Sequence, residues 1–197
     1  MKLLFVNSCI SQRGEGSRTL ALARAFLDAW KGLHPEVEVE TVAPEALLAL
    51  KPFDPEMLND RDALAGIRCF DAPVFDLACQ FRAADRIVVA APFWDLTFPA
   101  ALRTYIEYIS ANGLTYHYEA DGCHGDCRGE KLVYLTSGGD VERPESLGVL
   151  YWKQLCAMFG IPAFDYVFAG GLDLDPAKTE EILAEACEKA RRLAETF

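Results

Sequence analysis

No run of residues in this chain is long and apolar enough to span a bilayer. The first residues enter a strand-like pattern at once, without the charged, apolar and small-residue succession of an export signal. Basic residues are short: 19 Lys and Arg stand against 30 Asp and Glu, a net charge of −11. That balance argues against nucleic acid or an anionic membrane surface as partner. It leaves room for a small anion, because helix N-termini and backbone amides bind phosphate without a basic surface. The seven cysteines are an odd, scattered set without a disulfide framework, so they read as reduced thiols of a cytoplasmic protein. Repeats, linkers and low-complexity segments are also lacking. What remains is 197 residues of ordinary globular composition, enough for one domain with a substantial core.

The stretch Ile87 to Ile106 organises the rest. It opens on β-branched and small apolar residues, the pattern of a strand covered on both faces. Pro92, Phe93, Trp94 and Asp95 follow, and a helix begins near Pro99. Phe93 and Trp94 are placed to stack on a planar ring while the loop backbone hydrogen-bonds its edge; packing under the next helix is the plainer alternative. Further strands are expected at Lys2–Asn7, Val37–Val42, Lys131–Thr136 and Pro162–Phe168. Helices are expected after Ser17 (Leu20, Ala23, Leu27 and Trp30 at three-and-four spacing), around Val74–Phe81, over Leu147–Met158 (marked by Leu147, Tyr151, Leu155 and Met158) and from Asp175–Pro176 onward. Residues 44–68 form an irregular excursion with short helices, of a length that covers something or meets a partner subunit.

This alternation predicts an α/β fold: one five-stranded parallel sheet with helices on both faces, in the order 2-1-3-4-5. That order brings the exit loops of strands one, three and four to one crevice. The first of them, Ser8 to Ser17, suits a phosphate cradle at a helix N-terminus. It is not a triphosphate loop, because Gly-Lys-Ser/Thr is missing. Nor is it a dinucleotide fingerprint, since Thr19 stands where glycine is required. The third loop, Ser137-Gly138-Gly139-Asp140, has the small residues that let backbone approach a ligand. Cys123-His124-Gly125-Asp126-Cys127 offers zinc two thiols and an imidazole, with Cys69 or Cys79 as a distant fourth ligand. Incidental thiols are the plainer reading, and no metal is expected.

On these residues the chain resembles the FMN-dependent NAD(P)H azoreductase and quinone reductase family of the flavodoxin-like fold. The resemblance rests on the opening strand with Ser8 and Ser17, on Ala91-Pro-Phe-Trp-Asp-Leu-Thr-Phe-Pro99, on Thr136-Ser-Gly-Gly139 and on Phe159-Gly-Ile-Pro162. It implies a three-layer, single flavin-binding domain over residues 1–197. Ser8 and Ser17 would hold the FMN phosphate. Pro92, Phe93, Trp94, Asp95 and Leu96 would follow the isoalloxazine, and Thr136, Ser137, Gly138 and Gly139 its far edge or the ribityl chain. Tyr116, Tyr118 and Phe159 fall where the family lines its substrate pocket with aromatics. The implied activity is hydride transfer from NADH or NADPH through flavin N5 to a small aromatic acceptor such as a quinone or azo compound, in a homodimer. His117 is the candidate proton donor. A flavin-binding electron carrier or redox sensor is the alternative.

Three positions depart from the family pattern. Glu15 replaces a serine and would repel a phosphate unless it points away. Asp95 replaces an asparagine, and its charge would lower the reduction potential of a nearby flavin. Gly138 stands where many relatives have arginine.

Overall fold

A computed structural model describes residues 1–11, 13–143 and 146–197. Gln12, within the expected Ser8 to Ser17 loop, lies outside the described residues. Five parallel strands, β1 (Leu3–Asn7), β2 (Val39–Val42), β3 (Arg86–Ala90), β6 (Lys131–Ser137) and β7 (Ala163–Ala169), form a sheet in the order β2-β1-β3-β6-β7. With β4 (Tyr116–Glu119) and β5 (Gly122–Gly125) set aside as a separate hairpin, this is the expected 2-1-3-4-5 order. Alternate residues of one strand enter different cores, the signature of a sheet buried on both faces. Ile87, Val89 and Ala91 join one core and Val88 and Ala90 the other.

Helices α1 (Arg18–Leu33) and α7 (Thr179–Glu195) cover one face around Trp30. The other face is packed by α2 (Pro44–Ala49), α4 (Asp76–Ala83), α5 (Ala100–Ile109) and α6 (Leu147–Phe159) around Tyr105, Tyr134 and Trp152. Between α2 and α4 lies α3 (Pro55–Gly66), capped by Asp54, which accepts from Met57 N at 2.9 Å. None of its residues is buried within the chain.

The helical spacings leave two details open, and one expected cap differs. In α6 the buried residues are Gly148, Trp152, Leu155, Cys156 and Phe159, while Leu147 is 53% exposed. That helix is apolar nearly all round, so spacing alone does not fix which side faces the sheet. In α1, Leu22, Ala23, Phe26 and Trp30 are buried, and Leu20 and Leu27 lie only at the margin of the core. Asp175 does not cap α7; its carboxylate accepts from Ala177 N at 3.1 Å in a turn that precedes the helix.

The hairpin of β4 (Tyr116–Glu119) and β5 (Gly122–Gly125) is an element that strand spacing did not reveal. It is anchored at the amino-terminal edge of the sheet. Cys127 N donates to Phe159 O at 3.2 Å, and Arg82 Nε donates to Asp126 O at 3.2 Å. Gly125 lies so close to the end of α6 that a Cβ there would overlap the backbone of Phe159 and Gly160.

Candidate functional site

The exit loops of β1, β3 and β6 meet at the carboxyl-terminal edge of the sheet, where open α/β sheets take ligands. The first loop leads into α1, whose N-cap Ser17 accepts from Leu20 N at 3.3 Å. Ser17, Arg18 and Thr19 line a cleft of about 190 Å³ together with Ser11 and Arg13. The helix terminus contributes unpaired amides and the positive end of its dipole. Arg18 Nη1 is bonded to Asp173 Oδ1 at 2.7 Å, beyond β7. Thr19 Oγ1 and Ser137 Oγ share a buried hydrogen bond of 2.6 Å, which ties α1 to the end of β6.

Pro92, Phe93 and Trp94 from the β3 loop and Ser137, Gly138 and Gly139 from the β6 loop form the facing walls. Phe93 N donates to Ser137 O at 2.9 Å, and its ring meets Phe168 edge-on at 5.3 Å. A Cβ on Gly138 would stand 3.2 Å from both rings, so glycine preserves that contact. The chain then turns sharply, with Thr97 N donating to Trp94 O at 2.8 Å. Both central residues are left-handed, Asp95 at φ 49° and Leu96 at φ 70°. Aspartate tolerates this conformation, whereas leucine pays about 1–2 kcal/mol. The turn holds Trp94 and Leu96 outward, 40% and 58% exposed.

A second cavity of about 180 Å³ shares Phe93 and is lined by Leu96, Val141, Leu147 and Phe168, with Asp140 and Arg143 at its polar side. Arg143 donates to Asp140 at 2.8 Å and holds that carboxyl below its usual range. A larger groove of about 930 Å³ follows α6 and β7. It takes in Ser146 at the start of α6 and Glu142 and Arg143 of the β6 exit loop, but nothing from the β1 and β3 loops or from the N-terminus of α1, so volume alone does not mark it as the site.

Ser17, Pro92, Phe93, Trp94, Ser137, Gly138 and Gly139 are thus brought together, with Leu96 alongside and Asp95 exposed on the turn. Ser8 and Thr136 are fully buried beside the cleft rather than in its lining, and their hydroxyls find no hydrogen-bond partner among the described residues. Glu15 is turned outward into an ion pair with Arg24. Cys9 is buried, which pushes its thiol up to about 11 and keeps it protonated at neutral pH.

Five lining residues, Ser11, Arg13, Arg18, Thr19 and Asp173, were not singled out from sequence as site residues. Arg18 and Thr19 directly follow the capping serine, and that adjacency was the available signal. Asp173 reaches Arg18 across 155 positions, and no local pattern announces it.

The aromatics and His117 lie elsewhere. Tyr116, His117 and Tyr118 sit on β4, in the hairpin anchored at the opposite, amino-terminal edge of the sheet. His117 is bonded to Asp126 at 2.8 Å and Glu119 at 3.3 Å, not to anything in the cleft. Phe159 lines none of the three cavities just described: it is fully buried against Phe81, 5.0 Å between ring centroids. The zinc arrangement suggested by Cys123 to Cys127 does not assemble either. Strand alternation puts Cys123 beside Tyr118 and opposite His124, while the Cys127 thiol turns inward to Thr115 O. All seven thiols are free.

A family model described as flavodoxin-like fold matches residues 1–194. A protein of Clostridium perfringens named FMN-dependent NADH:quinone oxidoreductase is 32% identical over 201 residues, covering 100% of this chain and 99% of the relative. A Staphylococcus aureus protein of the same name is 30% identical over 92% of each chain. Among solved structures, an azoreductase from Bacillus anthracis superposes with a TM-score of 0.86 at 29% identity, covering all of both chains. Matched by that model over nearly its whole length and aligned end to end with such relatives, the chain belongs to the flavodoxin-like fold family.

Proposed function

We propose that the chain is an FMN-dependent NADH:quinone oxidoreductase that also takes azo compounds and similar aromatic acceptors, acting as a single flavin-binding domain in the cytoplasm. The observation that carries this reading is the cleft itself. A capped helix N-terminus, two guanidiniums, an aromatic loop and a glycine loop converge in one place. They suit a molecule that is dianionic at one end and planar at the other. The outward ion pair of Glu15 removes the objection its charge would raise.

In this reading Ser17, Arg13 and Arg18 hold the phosphate, and Asp173 keeps Arg18 aimed. Pro92 to Leu96 follow the ring on one side, and Ser137 to Gly139 on the other. Ser8 and Thr136 offer their unpartnered hydroxyls from below. Trp94 and Leu96 shield the ring from water and give an aromatic acceptor a surface to stack on. Bound there, the flavin supplies hydride acceptance from NADH and delivery to the acceptor. No side chain of the cleft need act as acid, since solvent can protonate the reduced product. A carrier or sensor without a small substrate is not favoured, because the relatives are named as enzymes.

Tyr116 and Tyr118 cannot reach the cleft of their own chain. We infer a homodimer in which the hairpin of one protomer covers the cleft of the other. The exposed apolar residues Trp94, Leu96, Leu147 and Leu150 favour such a contact.

Absorbance of the purified protein, reconstituted with FMN and desalted, tests the reading. Retained flavin bands that bleach anaerobically with NADH and return on adding menadione are the expected result. Flavin that NADH leaves oxidised would return the carrier to first place, and failure to retain FMN would end both readings.

A further inference from the structure

The hairpin has two chemically different faces. Register pairs His117 with His124 and Tyr118 with Cys123, so Tyr116, Tyr118 and Cys123 share one face. His117, Glu119 and His124 share the other. On that second face the two imidazoles stack, 5.6 Å between centroids and 28° between planes. The Glu119 carboxylate is 3.3 Å from His117 Nε2, and Asp121, in the two-residue loop, is 2.7 Å from His124 Nε2. One ligand atom each from Glu119, Asp121 and His124 lies within 4.8 Å of the others. Bonds of 2.0–2.1 Å in a tetrahedral site set neighbouring donor atoms about 3.3 Å apart, so small rotations of exposed side chains suffice to close these three. His117 stands outside that set and adjoins it through its Nε2 contact with Glu119.

We propose that this face is a divalent transition-metal site of the zinc class, with His117, Glu119, Asp121 and His124 as ligands. Two imidazoles and two carboxylates suit Zn²⁺ and its neighbours better than Ca²⁺ or Mg²⁺, which take oxygen ligands. Asp126 supports the set from behind. It bonds His117 Nδ1 at 2.8 Å, leaving Nε2 as the ligating nitrogen, an arrangement that orients metal-bound histidines generally. Four protein ligands make the site structural in kind. Every ligand lies within residues 117–124, so metal would pin the two strands and their loop together without moving the sheet. The thiols take no part: Cys123 is on the other face and Cys127 is turned inward.

The test is calorimetric titration of the FMN-reconstituted full chain with zinc sulfate, in a buffer that does not chelate. Wild type should saturate at one equivalent. H117A and H124A should each weaken binding at least 100-fold, and D126N by about 10-fold, the usual range for an orienting partner. C123A should bind as wild type does. These side chains are exposed or half-exposed, so unchanged melting and flavin content would certify each fold. Absence of binding by wild type overturns the proposal. So does full affinity in the H117A/H124A double variant, or loss of binding in C123A, which would assign the metal to the thiols.

Discussion

Asp95 lies at the crest of a turn whose backbone is left-handed, and asparagine accepts that conformation as readily as aspartate does. D95N therefore removes a charge beside the proposed ring without disturbing the loop. It should raise the flavin midpoint potential by about 10–30 mV, an electrostatic effect of partly screened charges at close range. Melting should stay unchanged. A spectroelectrochemical titration of wild type and D95N decides the matter, and equal potentials would place the carboxylate away from the ring. The next residue, Leu96, was legible as a member of the loop but not as a strained one, because leucine gives no hint of positive φ. Only the backbone shows that the chain holds an apolar side chain outward at a conformational cost.

Helix α1 depends on Ser17 for its cap and, in the proposed function, for its phosphate. S17A should cost about 1 kcal/mol of stability and also weaken FMN binding. A loss of stability with FMN affinity intact, measured by melting and fluorescence quenching, would confine the serine to capping. At the hairpin, G125A should destabilise the fold by about 3 kcal/mol, because the new methyl overlaps main chain that cannot yield. Chemical denaturation measures it. The sheet order was legible because each buried strand is a run of apolar residues and the alternation admits few topologies. The hairpin was not, since Tyr-His-Tyr-Glu alternates over only four residues and Gly-Cys-His-Gly, its partner, carries no apolar alternation. The Asp121–Gly122 pair was the one local sign of it. Likewise, α6 is apolar on too many sides for its sequence to say that Trp152 and Phe159 face inward and Leu147 outward.

Across the whole molecule, burial raises three thiols furthest: Cys9 to about 11, and Cys127 and Cys156 to about 12. In the unfolded chain they titrate near the ordinary value of 9.0, so the folded state holds these protons to higher pH. The stability they contribute is complete below about pH 9 and is lost as pH rises towards 12. Melting temperature should therefore fall steadily across that window, and C156A should fall less steeply. The wide separation of hairpin and cleft has a genetic consequence for the proposed two-fold assembly. One chain disabled at Ser17 still lends an intact hairpin, and one disabled at Tyr118 still offers an intact cleft. Co-expressed, two such alleles should complement each other in mixed dimers, recovering about half of one site's worth of turnover per dimer statistically available, while either allele alone stays deficient.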